Sequence, residues 1–282
     1  MSILKAPLLR YHGGKWRMAD WIIGHMPKHK VYVEPFGGGA SVLLRKKPSQ
    51  CEVYNDLDDD IVNLFAVLRD PAKAEQLAQQ VDLTPFARTE FYGAYATCAE
   101  PVEQARRTLV RAQMGFGSAG ATKDHTGFRG SGGRQKNHET DLWARQPDRI
   151  LAAAQRLKMA IIENRDALEC IKYYDTPDSL FFVDPPYMHS TRDAATVSGG
   201  AYRHEMTDAQ HIELLHVLLQ CKGKVMLTGY AHPIYDDMLS GWRRVTRQAR
   251  ASGAVGGVLR TEVIWMNYQP SEQLDIFGEV QA

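Results

Sequence analysis

The chain has 282 residues, 44% hydrophobic and 24% charged, with 34 basic against 33 acidic side chains. That is the mixture of a soluble globular protein with room for a sizeable core, and it excludes a disordered or low-complexity chain. No run approaches the roughly 20 apolar residues of a membrane span, residues 1–10 lack the apolar segment and cleavage site of a signal peptide, and Cys51, Cys98, Cys170 and Cys221 form no CxxC pair. A cytoplasmic protein with no membrane contact, no metal site and no disulfide framework is expected, its oligomeric state open with a monomer favoured.

In chain order, Val31, Tyr32 and Val33 make a short β-rich run that ends at Glu34-Pro35-Phe36-Gly37-Gly38-Gly39-Ala40-Ser41, and Val42, Leu43 and Leu44 read as the start of a helix. Residues 51–54 read as a second strand leading into Asn55 and Asp56. Ile61, Leu64, Phe65 and Leu68 then repeat at i, i+3, i+4 and i+7, the buried stripe of a helix. From about Thr84 to Arg149 this rhythm breaks, and residues 115–133 are dense in Gly, Ser and Thr with scattered basic and aromatic side chains. Alternation resumes at 159–162 and at 179–183, a near-continuous apolar strand that stops at Asp184-Pro185-Pro186-Tyr187. Thr207 and Gln210 fit a capping box for a helix carrying Ile212, Leu215 and Leu219, and residues 224–228 and 261–267 supply further strands. The frame is α/β, without internal repeats.

The glycine loop lets backbone approach a phosphate, a ribose or a sulfonium nucleoside closely. No GK[ST] follows Gly39, and Val42 stands where a dinucleotide fingerprint places its third glycine or alanine, so neither nucleotide motif is met. What remains is an acid-bearing strand end before a tight turn, with Asp56 at the end of the next strand, where it can accept hydrogen bonds from both ribose hydroxyls of a nucleoside cofactor. The run Asp184-Pro185-Pro186-Tyr187 is more specific, arising by chance in roughly one such chain in five hundred. An exocyclic amine on a purine ring is a poor nucleophile, and it improves when a carboxylate and a main-chain carbonyl accept its hydrogens. Asp184 and the Pro185 carbonyl offer that pair, Pro185 and Pro186 stiffen the turn, and Tyr187 offers a ring on which a base can stack.

Charge is unevenly spread along the chain. Residues 105–158 hold eleven Lys and Arg against four acids, a net +7, while the remainder holds 23 basic against 29 acidic residues. A polyanion partner follows from that segregation, and Lys123, Arg129, Arg134 and Lys136, interleaved with Phe116, His125 and Phe128, are candidate contacts.

Taken together, Tyr11-His12-Gly13-Gly14-Lys15, the 34–41 loop, Asn55-Asp56 and Asp184-Pro185-Pro186-Tyr187, in this order, resemble the Dam-type (D12 class) adenine-N6 DNA methyltransferases. The resemblance implies a Rossmann-like methyltransferase sheet that binds S-adenosyl-L-methionine at the positions of Tyr11, Gly14, Lys15, Glu34, Pro35, Phe36, Gly37, Gly39, Asp56 and Asp184, with Asp166 at the adenine ring. Asp184, Pro185, Pro186 and Tyr187 become the catalytic residues, and the target adenine of duplex DNA has to leave the stack to reach them. The order of parts matches the family's α-group. Residues 1–70 and 159–282 would form the catalytic domain, and 71–158 an inserted, mainly helical, target-recognition subdomain with Arg10, Arg111, Lys123, Arg129, Arg134 and Lys136 as DNA contacts. Two other readings stay open: amino-methylation of RNA or a protein glutamine, and a catalytically silent DNA-binding relative.

Overall fold

The computed structural model describes residues 4–118, 120–122, 125–130, 139–191, 202–251 and 258–269. Seven strands form one sheet: β1 (Val31–Glu34), β2 (Cys51–Asn55), β3 (Ala160–Glu163), β4 (Ser179–Val183), β5 (Lys224–Tyr230), β6 (Arg243–Ala251) and β7 (Val258–Met266). Their order is β3-β2-β1-β4-β5-β7-β6. The first five pair in parallel, and β7 runs antiparallel to both β5 and β6. The chain steps outward from β1 to β2 and β3, then returns to lay β4 on the other side of β1. At that reversal the connections diverge to opposite faces and leave a crevice beyond the carboxyl ends of the strands.

Ten α-helices accompany the sheet among the described residues: α1 (Ala19–Gly24), α2 (Asp59–Arg69), α3 (Pro71–Asp82), α4 (Arg88–Gly93), α5 (Pro101–Met114), α6 (Glu139–Ala144), α7 (Gln146–Leu157), α8 (Ala167–Tyr174), α9 (Asp208–Leu219) and α10 (Pro233–Met238). Successive strand residues point to opposite faces and so enter two different cores. Tyr32, Tyr54, Leu180, Phe182, Met226 and Ile264 join one with α2, α3, α5 and α7. Val33, Val53, Phe181, Val183, Leu227 and Trp265 join the other with α8, α9 and α10. The result is a three-layer α/β/α arrangement in which α2 packs on α5 and α3 on α7. The helices α3, α5 and α7 of the segment 71–158 thus share a core with the sheet.

Local chemistry accounts for the helix boundaries. Asp58 and Asp70 cap α2 and α3 through their carboxylates, and Pro71 and Pro101 sit at first-turn positions where no amide hydrogen is needed. Ile61, Leu64, Phe65 and Leu68 are buried as their spacing predicts, and the Thr207–Gln210 capping box is present. The stripe on α9 is different: His211, Leu214, Leu215 and Leu218 face inward, whereas Ile212 and Leu219 are exposed. No helix follows the glycine loop either. The Leu43 amide donates to the Glu34 carboxylate at 2.8 Å instead of to a carbonyl one helical turn back, and residues 41–45 form turns. Strand β6 carries no apolar alternation because it is an edge strand rich in arginine, paired on β7 alone.

A buried ion triad ties this frame together. Glu52 accepts from Lys46 at 2.5 Å and from Arg156 at 2.5 and 2.9 Å, joining β2 to α7 and to the turns after the glycine loop. Removing the shared acid leaves two cations facing one another out of water. Glu52→Ala is expected to cost about 3–5 kcal/mol of unfolding free energy in urea titrations, and a loss below about 1 kcal/mol would mean that water reaches the triad.

Candidate active site

A cleft of about 180 Å³ opens at the β1/β4 reversal, lined by Tyr11, Gly14, Lys15, the 34–39 loop, Asp56, Asp166, Asp184 and Pro186, and by Tyr202, His204 and Met206 from a distant part of the chain. Every residue expected to hold a cofactor therefore meets at one place. The loop is shaped by what lies beneath it. A Cβ on Gly37 would overlap the Tyr54 ring, whose hydroxyl donates to the Gly38 carbonyl at 2.8 Å, and Gly38 and Ala40 have φ of 47° and 48°. Left-handed backbone is readily taken by glycine and strained for alanine, so the turn is bought with local strain. Asp56 accepts the Gly38 amide at 2.8 Å and the Asp58 amide at 2.9 Å, and burial raises its proton affinity against those two bonds. Asn55 donates to the Pro35 and Arg165 carbonyls and accepts the Arg165 amide, so the ends of β1, β2 and β3 move as one. Asp166 lies at the rim and caps α8 through Leu168 and Glu169.

The other wall is built on Asp184. Lys15 lies within 2.8 and 2.9 Å of its two carboxylate oxygens, and Thr228 on β5 donates to Oδ1 at 2.7 Å. Burial works against the Lys15 ammonium, yet Asp184 and Glu262 outweigh it and hold the lysine above its ordinary range. Lys15 is 6% exposed and therefore a fixed charge of the site. Its ammonium lies 4.7 Å from the Tyr187 ring centroid, and the Tyr187 hydroxyl donates to Glu262 on β7 at 2.7 Å. Pro185 is buried and is not among the residues that line the cleft. Thr228 and Glu262 escaped sequence reading, although a threonine and an acid inside otherwise apolar strand runs are the signal that would have marked them.

A strap crosses the cleft from the far side. Tyr202 lies over Gly13, with its ring 5.3 Å from His12 and 6.3 Å from Tyr11, and Arg203 is paired with Asp58 at 2.7 Å and Asp60 at 3.0 Å. The donor set of the cleft suits a nucleoside cofactor: a glycine cradle that a Cβ would fill, a carboxylate at the end of β2, and an apolar flank from Phe36 and Leu168.

The expected DNA contacts divide. Arg129 pairs with Glu139 at 2.8 Å, and Arg10 lies 3.8 Å from the same acid, so the two form one partly exposed cluster. Arg111 departs from expectation: it is buried, paired with Asp60 at 2.8 Å, and its guanidinium serves the core side of α5 instead of a surface. Lys123, Arg134 and Lys136 lie outside the described residues. The +7 segment is also less basic in space than along the chain. Arg106, Arg107, Arg111 and Arg156 pair with Glu90, Glu103, Asp60 and Glu52, all of which fall outside it. Phe116 is exposed beside the Gly115–Phe128 bridge, at the base of the loop that the bridge closes, and its amide donates to the Gly127 carbonyl. No helix of the described residues is long and apolar enough to cross a membrane.

Residues 11–250 match the family model of the D12 class N6 adenine-specific DNA methyltransferases. The chain belongs to this family. Among relatives, the DNA adenine methylase of Haemophilus influenzae (strain Rd) is 24% identical over 188 residues, covering 64% of this chain and 63% of the relative. That of Escherichia coli K12 is 29% identical over 108 residues, covering 38% of this chain and 35% of the relative. The chain thus spans about a third of the E. coli relative and under two thirds of the Haemophilus one. The D12 match takes in the cleft, the strap and Asp184 alike.

The acid of the glycine loop provides a pH handle. Burial pushes Glu34 up from 4.5 to about 7, against hydrogen bonds from the Tyr32 hydroxyl and the Leu43 amide. A carboxyl whose folded pKa is raised contributes stability that is present below its unfolded pKa and lost as pH climbs through the folded one. Glu34→Gln keeps an oxygen acceptor and removes the titration. Relative to the parent, the variant is expected to gain on the order of 3 kcal/mol between pH 4.5 and 8, read from urea unfolding at several pH values; parallel stability curves would contradict the assignment.

Proposed function

We propose that the protein transfers the methyl group of S-adenosyl-L-methionine to N6 of an adenine in duplex DNA, the base leaving the stack to enter the pocket beside Asp184. The observation that carries this reading is the Asp184 carboxylate, held by Lys15 and Thr228 at the edge of a glycine-floored nucleoside cleft. S-adenosylmethionine supplies an electrophilic methyl group when bound. Tyr11, Gly14, Lys15, Glu34 to Gly37, Gly39 and Asp56 are the residues proposed to hold it, with Asp56 taking the ribose hydroxyls and Asp166 the adenine edge.

The chain's own residues prepare the amine. A purine amine donates its lone pair into the ring, and accepting its hydrogens at the Asp184 carboxylate and the Pro185 carbonyl draws that pair back toward nitrogen. Lys15 and Thr228 together fix the plane of the Asp184 carboxylate, so little reorganisation remains when the amine arrives. The Tyr187 ring gives the flipped base a stacking surface. Segment 71–158, with the Arg10–Arg129 cluster and Lys123, Arg134 and Lys136, is proposed to take the DNA. Incubation with labelled S-adenosylmethionine and either duplex DNA, RNA or a glutamine-containing protein tests the class of acceptor. N6-methyladenine in the DNA digest is expected, and label confined to RNA or protein overturns the reading.

Two variants probe the roles. Asp184→Ala would strip a buried lysine of its partner, so Asp184→Asn, which leaves Lys15 an oxygen, is the cleaner substitution. It is expected to lower the methylation rate on the order of 10² to 10³-fold with S-adenosylmethionine still bound, and a loss under about tenfold would remove Asp184 from catalysis. Asp56→Ala is expected to weaken the cofactor by about 1.5 to 3 kcal/mol in calorimetry; unchanged affinity would take Asp56 out of the site.

A further inference from the structure

Tyr187 is held from three directions by residues that belong to no motif of the chain except Lys15. Its hydroxyl donates to Glu262 Oε2 at 2.7 Å. Its ring meets that of Tyr230 edge-on, with centroids 4.7 Å apart at 74°, and the Lys15 ammonium lies 4.7 Å from its centroid. Tyr230 and Glu262 are register partners across the antiparallel β5–β7 pair, so one rung of that ladder presents both to Tyr187. Glu262 is 8% exposed. A carboxylate seldom stays so buried without a specific partner, and its partner here is the side chain proposed to stack on the base.

A tyrosine has two free torsions, and stacking needs a ring plane fixed before the base arrives. Packing against Tyr230 restrains one side of the ring, while the hydroxyl bond fixes its far end, which packing alone leaves free to swing. We propose that Glu262 is a positioning residue for methyl transfer, acting through Tyr187: its hydrogen bond sets the plane of the ring on which the flipped adenine stacks. Burial together with Glu262 and Asp184 keeps the Tyr187 phenol protonated, so the hydroxyl is the donor of this bond and Glu262 the acceptor. This inference rests on the adenine reading above.

The test uses the full chain with S-adenosylmethionine and plasmid DNA from a methylation-free host, and compares Glu262→Ala, Glu262→Gln, Tyr187→Phe and the double variant Tyr187→Phe/Glu262→Ala. Calorimetry with the cofactor reports that each site is folded. Glu262→Ala is expected to lower kcat by about tenfold to a hundredfold while the KM for S-adenosylmethionine stays within about twofold. Glu262→Gln, which keeps an oxygen for the hydroxyl, is expected to recover most of that loss. Tyr187→Phe keeps the ring and removes the hydroxyl, so it should reproduce the Glu262→Ala effect without touching the acid, and the double variant should be no worse than either single one. Full activity in Glu262→Ala, a Gln variant as impaired as the Ala variant, or additive losses in the double variant would each overturn the proposal. Should Glu262→Ala fail to fold, Glu262→Gln and Tyr187→Phe still decide, because the first must stay active and the second must not. A parent chain that leaves DNA adenine unmethylated overturns the functional reading itself, whereas an active parent with an indifferent Glu262 overturns only this inference.

Discussion

Lys15 and Asp184 lie 169 positions apart in the chain and less than 3 Å apart in space, with the ammonium buried and the carboxylate at the wall of the cleft. Withdrawing both charges from solvent is costly, and the pair offsets that cost only because each member has further partners: the Gly13 carbonyl for the ammonium, the Thr228 hydroxyl for the carboxylate. Such a pair tolerates little displacement. It pins the N-terminal turn that forms one wall of the cleft to the end of β4 that forms the other. Glu262 lies close enough to help hold the Lys15 ammonium above its ordinary range.

The sheet order explains why these groups converge. Reversal between β1 and β4 leaves their carboxyl ends uncovered, and Glu34, Asp56 and Asp184 are the residues at or just beyond the ends of β1, β2 and β4. Alternation along the strands then sorts apolar side chains into two cores, so the acids remain as the polar terminations of otherwise apolar runs. The Asn55 side chain, bonded to the Pro35 and Arg165 backbone, couples the ends of β1, β2 and β3, which keeps the floor of the cleft rigid while the strap at Tyr202 and Arg203 crosses above it.

Much of this was legible in the sequence because it is local. The glycine loop, Asp56, the Asp184 turn and the stripe of α2 each announce themselves within a few residues, and the parallel strands read as apolar runs between turns. What stayed hidden depends on partners far along the chain. Thr228 and Glu262 become part of the site only when β5 and β7 are laid beside β4, and Arg111 looks like a surface cation until Asp60 is brought to it. The basic segment misled for the same reason, since charge counted along a stretch ignores acids contributed by neighbouring elements. The helix expected after Gly39 failed because a buried carboxylate, Glu34, competes for the Leu43 amide. Strand β6 was missed because an edge strand has no need of the alternation that marks the others.

The floor of the cleft is itself a core side chain. Tyr54 supports Gly37 and Gly38 with one face and its hydroxyl, and stacks on Phe65 of α2 with centroids 4.2 Å apart. The contour offered to a ligand is therefore inherited from how a helix beds onto the sheet. Evolution cannot retouch the two separately: a smaller ring at position 65 would let Tyr54 sink and the loop follow it. Variation at 37, 54 and 65 should then be epistatic, tolerated in combinations and rejected singly, so that interior packing and ligand selectivity drift together in this lineage.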